Sequence, residues 1–212
     1  MNKEIFEKSF IENLNKNFPE LSKNFDFDLE VFSELNTILF EINKCLLLEF
    51  NRAAITLTNN LIERLLKLAL IYQEVGIGSK PIDKWTEIFS EPNKKYGQLK
   101  LGNSIELCKK DNLITEKEKQ ILFDHIRVLM RNGFAHADSS EIMADFPNDS
   151  LGFQASLSNP RDIKEVRMDY KVIPFMQELQ MENFAKENSK PYFEFIFKLI
   201  FRIEKRLIER NK

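Results

Sequence analysis

The sequence predicts an all-α protein, and three features support that prediction. The 212 residues include only 6 glycines and 7 prolines, too few for the many turns of a β-sandwich or barrel. Apolar side chains recur every three or four positions over long stretches, which is the period of an α-helix. Alternating patterns typical of strands are confined to residues 140–175. We therefore expect a helical bundle with an irregular insertion near 140–175 rather than a further helix, and a β-hairpin is one option within that insertion.

The first helices are predicted from apolar spacing and from helix-breaking residues. Residues 4–17 have apolar side chains on one helical face, and Pro19 is expected to end that helix. Residues 28–50 repeat the pattern, and Asn51 marks either a continuation or a kink. Residues 51–74 form the most strongly amphipathic segment of the chain. Two glycines and a proline directly after this segment are expected to end it.

The following segments are shorter, and one of them begins with a clear cap. Residues 81–99 suggest a short helix and a loop, because Pro92 and Gly97 interrupt them. A modest helix over 102–110 is followed by the breaking pair Asp111-Asn112. Thr115 and Glu118 have the spacing of a capping box, which starts a helix predicted to run to about Asp138.

The chain is expected to end in one more helix. Ser189 and Pro191 have the residue types that favour a helix start, so they are predicted to open it. Its charged side chains lie on one stripe and its apolar side chains elsewhere, as in a helix with one buried face.

Composition excludes several functional classes. The 31 Lys and Arg nearly balance the 33 Asp and Glu, so the net charge of −2 indicates no partner, although the N-terminal end is acidic and the C-terminal end basic. Cys45 and Cys108 lie far apart, so we expect no disulfide framework and two small buried side chains. Two histidines without a cysteine cluster are too few for a zinc site, and no acidic motif stands out as a magnesium site, so no metal site is predicted. The absence of an apolar run of ~18 residues predicts no membrane partner, and a cytoplasmic protein is expected.

Both histidines lie on the predicted helix over 115–138. At about 100° per residue, His125, Asn132 and His136 share an apolar stripe, and Arg131 lies on its shoulder. The glycine after Asn132 weakens the helix at its most polar buried positions, a combination typical of functional sites. Two interpretations stay open from this pattern: hydrogen-bonded core or interface residues with an ordinary ion pair, or a catalytic site.

Residues 131–136, R-N-G-F-A-H, resemble the RxxxxH signature of the HEPN superfamily. These helical domains occur in prokaryotic toxins, abortive-infection proteins and RNA-processing factors. The resemblance covers about residues 45–140, including the earlier helix with Leu61-Ile62-Glu63, and extends to the C-terminal helix. It implies a single HEPN-like domain over 1–212, with a core of about 28–139 and 176–210 and the insertion between them.

The resemblance also implies a metal-independent endoribonuclease that needs no cofactor. His136 would then be the acid and base, because its pKa lies near working pH, and Arg131 would hold the phosphate through its forked donors. Asn132 would position either group. Since one motif supplies one acid or base, the resemblance implies a homodimer with a composite site. Three further residues are candidates for supporting these side chains: His125, Glu63 and Asp138.

One departure limits the resemblance. Some family toxins carry a tyrosine two residues after the histidine, where nucleotidylation silences them, but this chain has Asp138 there. Three functions stay open: a ribonuclease of toxin or antiphage type acting on RNA, with an antitoxin or defence-system partner; a catalytically inactive dimerisation or RNA-binding module; and a ligand-sensing regulator with a Phe-lined pocket. The third function, a ligand-sensing regulator, is suggested by the 19 phenylalanines of the chain.

Overall fold

The computed structural model describes residues 2–124, 126, 133–135, 142–144, 147 and 150–211. The helices in chain order are α1 (Lys3–Leu21), α2 (Asn36–Leu47), α3 (Asn51–Val75), α4 (Trp85–Gly97), α5 (Leu101–Lys110), α6 (Glu116–Gln120), α7 (Gly133–Ala135) and α8 (Pro174–Arg210). Two antiparallel strands, β1 (Ser150–Ser156) and β2 (Asn159–Met168), form the only sheet within the described residues. The prediction of a predominantly helical protein is confirmed, and the sheet lies inside the segment expected to contain β-structure.

Helix α3 lies at the centre of the fold. It packs along α8 and is covered on its other sides by α2, α4 and α5. Ser189 Oγ bonds Asn51 Oδ1 over 2.7 Å at the start of α3, and Arg210 Nη1 donates to Gln73 Oε1 over 3.1 Å near its end. The later residue of α8 therefore meets the later residue of α3, so the two helices run in the same direction.

The amphipathic pattern of α3 matches the burial of its side chains. Leu61 and Leu65 are fully buried, whereas Arg64 is exposed. Each fully buried leucine contributes about 1.5–3 kcal/mol relative to an exposed one, so the buried side chains of α3 supply much of the stability. The helix ends at Gly76, as predicted, because the backbone there has a φ of 76° and leaves the helical region.

Replacing Gly76 with alanine is expected to lower the free energy of unfolding by about 1 kcal/mol, because L-residues are strained at positive φ. An added Cβ would also lie 3.4 Å from Asn211 Oδ1. Urea unfolding followed by circular dichroism measures the change. Gly97→Ala is the control, because a Cβ there meets nothing within 4 Å. Equal destabilisation by both substitutions would contradict this account of Gly76.

Two prolines that were expected to interrupt helices lie inside them. Pro19 is within α1, and Pro92 is within α4. A proline in a helix interior costs about 3 kcal/mol through a lost hydrogen bond and a steric clash. Burial opposes that cost here, because Leu21 after Pro19 is buried and Pro92 is itself buried. The two predicted interruptions are therefore wrong, since local propensity was outweighed by packing.

The predicted start of the last helix is also wrong. Helix α8 begins at Pro174, which takes the first-turn position that suits proline, and it continues through Ser189 and Pro191. The Ser189 hydroxyl bonds Asn51 on α3 rather than capping a helix start. Since Ser189 already meets the first residue of α3, the additional residues 174–188 carry α8 beyond that end of α3, where Phe184 contacts Phe134.

The segment before α2 departs from the predicted helix over 28–50. Glu204 of α8 accepts hydrogen bonds from the backbone N–H groups of Val31 and Phe32, at 2.7 and 3.0 Å, and Phe32 is fully buried. These contacts hold the chain outside helical geometry until a 3-10 helix, Ser33–Leu35, leads into α2. At the other end the backbone breaks at Glu49, where φ is 61°. The kink alternative near residue 51 is therefore the one observed.

The predicted capping box is confirmed at the start of α6. The Thr115 hydroxyl accepts from the Glu118 backbone N–H at 3.2 Å, and the Glu118 carboxylate accepts from the Thr115 N–H at 2.7 Å. After Gln120 the chain continues as a π-helical turn over 121–124, where a single α-helix was predicted. Most of the remaining predicted helix lies outside the described residues.

The hairpin formed by β1 and β2 packs chiefly on itself. Its register pairs Ser150 with Met168 and Phe153 with Glu165, and Phe153 is largely exposed. Within the described ranges, no helix combines the length and apolar character that a membrane crossing requires.

Candidate functional site

The predicted catalytic residues lie outside the part of the chain that the structure describes. This applies to the following positions: Arg131, Asn132, His136, His125 and Asp138. Glu63 and the three central residues of the motif, which form α7, are described. The surroundings of the motif are therefore built from α7 and from the elements that contact it.

Helix α7 is a single turn that packs on α3. Gly133 is buried, and the Phe134 ring lies nearly parallel to the Phe184 ring of α8, with centroids 6.0 Å apart and an interplanar angle of 28°. Phe134 also contacts the main hydrophobic core. The centre of the motif therefore contacts both long helices: α7 packs on α3, and the Phe134 ring stacks on Phe184 of α8.

Polar side chains lie between α3 and α8. The Tyr192 hydroxyl donates to Asn59 Oδ1 at 2.8 Å, and both residues are buried. Burial raises the pKa of the Tyr192 phenol, and the negative charge of Glu63 raises it further, so the phenol stays protonated at neutral pH. Tyr192 therefore acts as a hydrogen-bond donor in the helix interface.

Glu63 lies one turn after Asn59 on α3 and is half-buried. Its carboxylate is close enough to affect the Tyr192 phenol electrostatically. Phe184 precedes Tyr192 by eight residues, which corresponds to about 12 Å along the helix axis. The described contacts therefore associate Glu63 with the α3–α8 interface, while its predicted support of the motif residues stays a prediction.

A groove of about 470 Å³ lies at the start of α3, close to Phe184. Its cations are already paired: Arg52 with Glu178, and Lys186 with Glu182 at 2.7 Å. The third lining carboxylate, Glu49, is paired with Lys16 at 2.6 Å. This groove is therefore a poor phosphate site by itself, and a phosphate bound beside it needs a cation from another segment.

Neither cysteine is activated as a nucleophile. Burial raises the pKa of the Cys45 thiol, and the charge of Glu41 raises it further. The Cys108 thiol is fully buried, which raises its pKa strongly, and its Sγ lies 3.5 Å from the Leu66 carbonyl oxygen. Because the thiolate is the reactive form, neither thiol is a candidate nucleophile. The predicted burial is confirmed for Cys108, whereas Cys45 is only partly buried against the core.

The described residues contain no group of three or more His, Cys, Asp or Glu side chains placed to hold a metal ion. No protein-family model matches the sequence, and no curated protein or solved structure is significantly similar to it.

The sequence suggested a Phe-lined pocket but not the location of the second cavity, which has Phe89 as the one phenylalanine among its described lining residues. It lies at the far end of α3, lined by residues from Ser33 to Asn93. The single tryptophan of the chain, Trp85, is the only sequence feature that singles out this region. Residues so far apart in the chain give no local pattern, so only the fold brings them together.

Proposed function

We propose that this protein is a metal-independent endoribonuclease of toxin or antiphage type, acting on RNA at a composite site in a homodimer. The observation that carries the proposal is the motif Arg131-Asn132 followed by His136. Its fit to the RxxxxH signature is supported by the helical fold and by the packing of α7 against α3 and α8. Neither cysteine is activated as a nucleophile, and the cations of the groove at the start of α3 are paired. The motif is therefore the best candidate for a catalytic site.

The proposed reaction is an attack of the ribose 2′-oxygen on the adjacent phosphorus. His136 of one copy removes the 2′-hydroxyl proton as the new O–P bond forms. Arg131 stabilises the additional negative charge on the phosphorane through its permanently charged, forked donors. His136 of the second copy protonates the 5′-oxygen as its bond to phosphorus breaks. The products are a 2′,3′-cyclic phosphate and a 5′-hydroxyl, and no metal ion or water is consumed in this step.

Incubation of the purified protein with total RNA in EDTA tests the proposal. We expect cleavage by the wild type, and a loss of at least about 100-fold in rate for Arg131→Ala and for His136→Ala, the usual scale for acid–base and electrostatic catalysis. Arg131→Lys should retain part of the activity, because it keeps the charge but loses the fork. Arg161→Ala, which removes an exposed arginine of β2, serves as the matched control.

A defined oligonucleotide tests the chemistry more directly. A single 2′-deoxy substitution at the mapped cleavage site should block cutting there, because it removes the attacking oxygen. Intact RNA with the wild type, or equal cleavage by wild type, Arg131→Ala and His136→Ala, would overturn the proposal. A stable dimer that leaves RNA intact would favour the alternative, a catalytically inactive dimerisation or RNA-binding module.

A further inference from the structure

The cavity at the C-terminal end of α3 combines an apolar floor with aromatic walls. It encloses about 570 Å³, within the usual range of small-molecule sites. Leu68 forms part of the floor, and the aromatic side chains are those of Tyr72, Trp85 and Phe89. The Tyr72 and Phe89 rings meet edge to face, with centroids 6.3 Å apart. These surfaces suit a planar ring, which stacks on aromatic side chains.

The Trp85 side chain is positioned at the edge of the cavity. Its indole Nε1–H donates to the Lys80 carbonyl oxygen at 3.1 Å, which fixes the orientation of the ring. The residue nevertheless remains 50% exposed. A half-exposed tryptophan held in place by a backbone contact keeps apolar area accessible to a ligand.

Two cations line the same cavity. Within the described residues, neither the Arg64 guanidinium nor the Lys80 ammonium forms a hydrogen bond or an ion pair. Among the described lining residues Glu34 is the single carboxylate, and it accepts a hydrogen bond from the Tyr72 hydroxyl. This differs from the groove at the start of α3, where the cations are paired. An excess of positive charge beside aromatic rings favours an anionic ligand with a planar part.

We propose that this cavity binds a small aromatic anion, with its ring against Trp85 and Phe89 and its anionic group between Arg64 and Lys80. A neutral apolar ligand would leave both cations unpaired, and a simple inorganic anion would leave the aromatic wall uncovered. Glu34 supplies an acceptor for a hydroxyl or amine of the ligand. The inference does not depend on the proposed nuclease activity, because the described lining residues all lie outside the motif.

Nucleoside phosphates and aromatic carboxylates share this chemistry, and the experiment separates them. Because the chain has a single tryptophan, its indole N–H gives one resonance in a two-dimensional nitrogen–proton spectrum. We would titrate the full-length protein with AMP, 4-aminobenzoate, adenosine and inorganic phosphate. At least one of the two aromatic anions should shift the Trp85 resonance saturably, and adenosine and phosphate should bind at least about 10-fold more weakly.

Charge variants test the assigned contacts. Arg64→Met and Lys80→Met should each weaken binding of the active probe by about 10-fold, as expected for the loss of a charge-assisted contact. Lys84→Met is the control, since Lys84 is exposed next to Trp85 and does not line the cavity. The proposal fails if neither aromatic anion binds, if adenosine binds as tightly as AMP when AMP is the active probe, or if the control weakens binding equally. If an aromatic anion binds but the protein does not cleave RNA, only the nuclease proposal fails. If the protein cleaves RNA but neither aromatic anion binds, only the ligand proposal fails.

Discussion

Replacing Glu118 with alanine is expected to lower the free energy of unfolding by about 3 kcal/mol, near the lower end of the range for removing one partner of a buried ion pair. Its carboxylate is buried and accepts from Arg202 Nε at 2.6 Å, from Arg206 Nη1 at 2.8 Å and from the Thr115 N–H at 2.7 Å. Removing it leaves two guanidinium groups without their shared anion. Because Arg202 is 40% exposed, water compensates part of the loss.

Urea unfolding of the wild type and of Glu118→Ala measures this difference. Glu116→Ala is the control, because its 74% exposed carboxylate lies 3.6 Å from Lys109, and exposed pairs contribute at most about 1 kcal/mol. If the two variants lose the same stability, the contacts of Glu118 with Arg202 and Arg206 do not stabilise the protein more than an exposed ion pair does.

The effect of Glu118 should also depend on pH. Burial alone would raise the pKa of its carboxyl, but hydrogen bonds from Arg206 and from the Thr115 backbone outweigh burial and hold the pKa below its usual value. The folded state therefore binds this proton less readily than the unfolded state. The advantage of the wild type over Glu118→Ala should be complete above about pH 4.3, the ordinary pKa of glutamate, and should shrink as the pH falls further.

Replacing Phe193 with alanine is expected to lower the free energy of unfolding by about 3–5 kcal/mol, the usual range for truncating a buried aromatic residue. Phe193 lies on α8, has no exposed surface, and its ring centroid is 5.6 Å from that of Phe197. The substitution leaves a cavity in the core shared by α8 and α3, which backbone relaxation fills only partly.

Chemical denaturation compares this variant with Phe175→Ala, which removes the same group from a residue on α8 that is 73% exposed. We expect the control to change stability by no more than about 0.5 kcal/mol. A loss below about 1 kcal/mol for Phe193→Ala would mean that the core does not depend on this ring. Neither variant should resemble His136→Ala, which is expected to lose activity while unfolding like the wild type.

Local sequence signals were sufficient to predict α3, α5 and the cap at Thr115. Each of these depends on neighbours within a few residues: an apolar stripe, a glycine at the helix end, or a side chain that bonds a nearby N–H. The same approach failed at Pro19, Pro92 and Pro191. There the local cost of proline is opposed by burial of side chains against distant elements, which no short window of sequence contains.

Contacts with a distant element also explain why the segment before α2 is irregular. Its apolar spacing predicts a helix, but Glu204, more than 170 residues away, binds the backbone of Val31 and Phe32. Hydrogen bonds between residues so far apart in the chain form only when α8 packs against this segment. No local sequence pattern therefore predicts them.

The sequence by itself determined the helical class, the main amphipathic helix and the motif of Arg131, Asn132 and His136, because each depends on residue type and short spacing. Only the tertiary structure decided that Phe134 packs on Phe184 and that Arg64, Lys80 and Trp85 surround one cavity. The physical reason is that burial and charge pairing depend on contacts between distant segments. Those contacts exist only after the chain has folded.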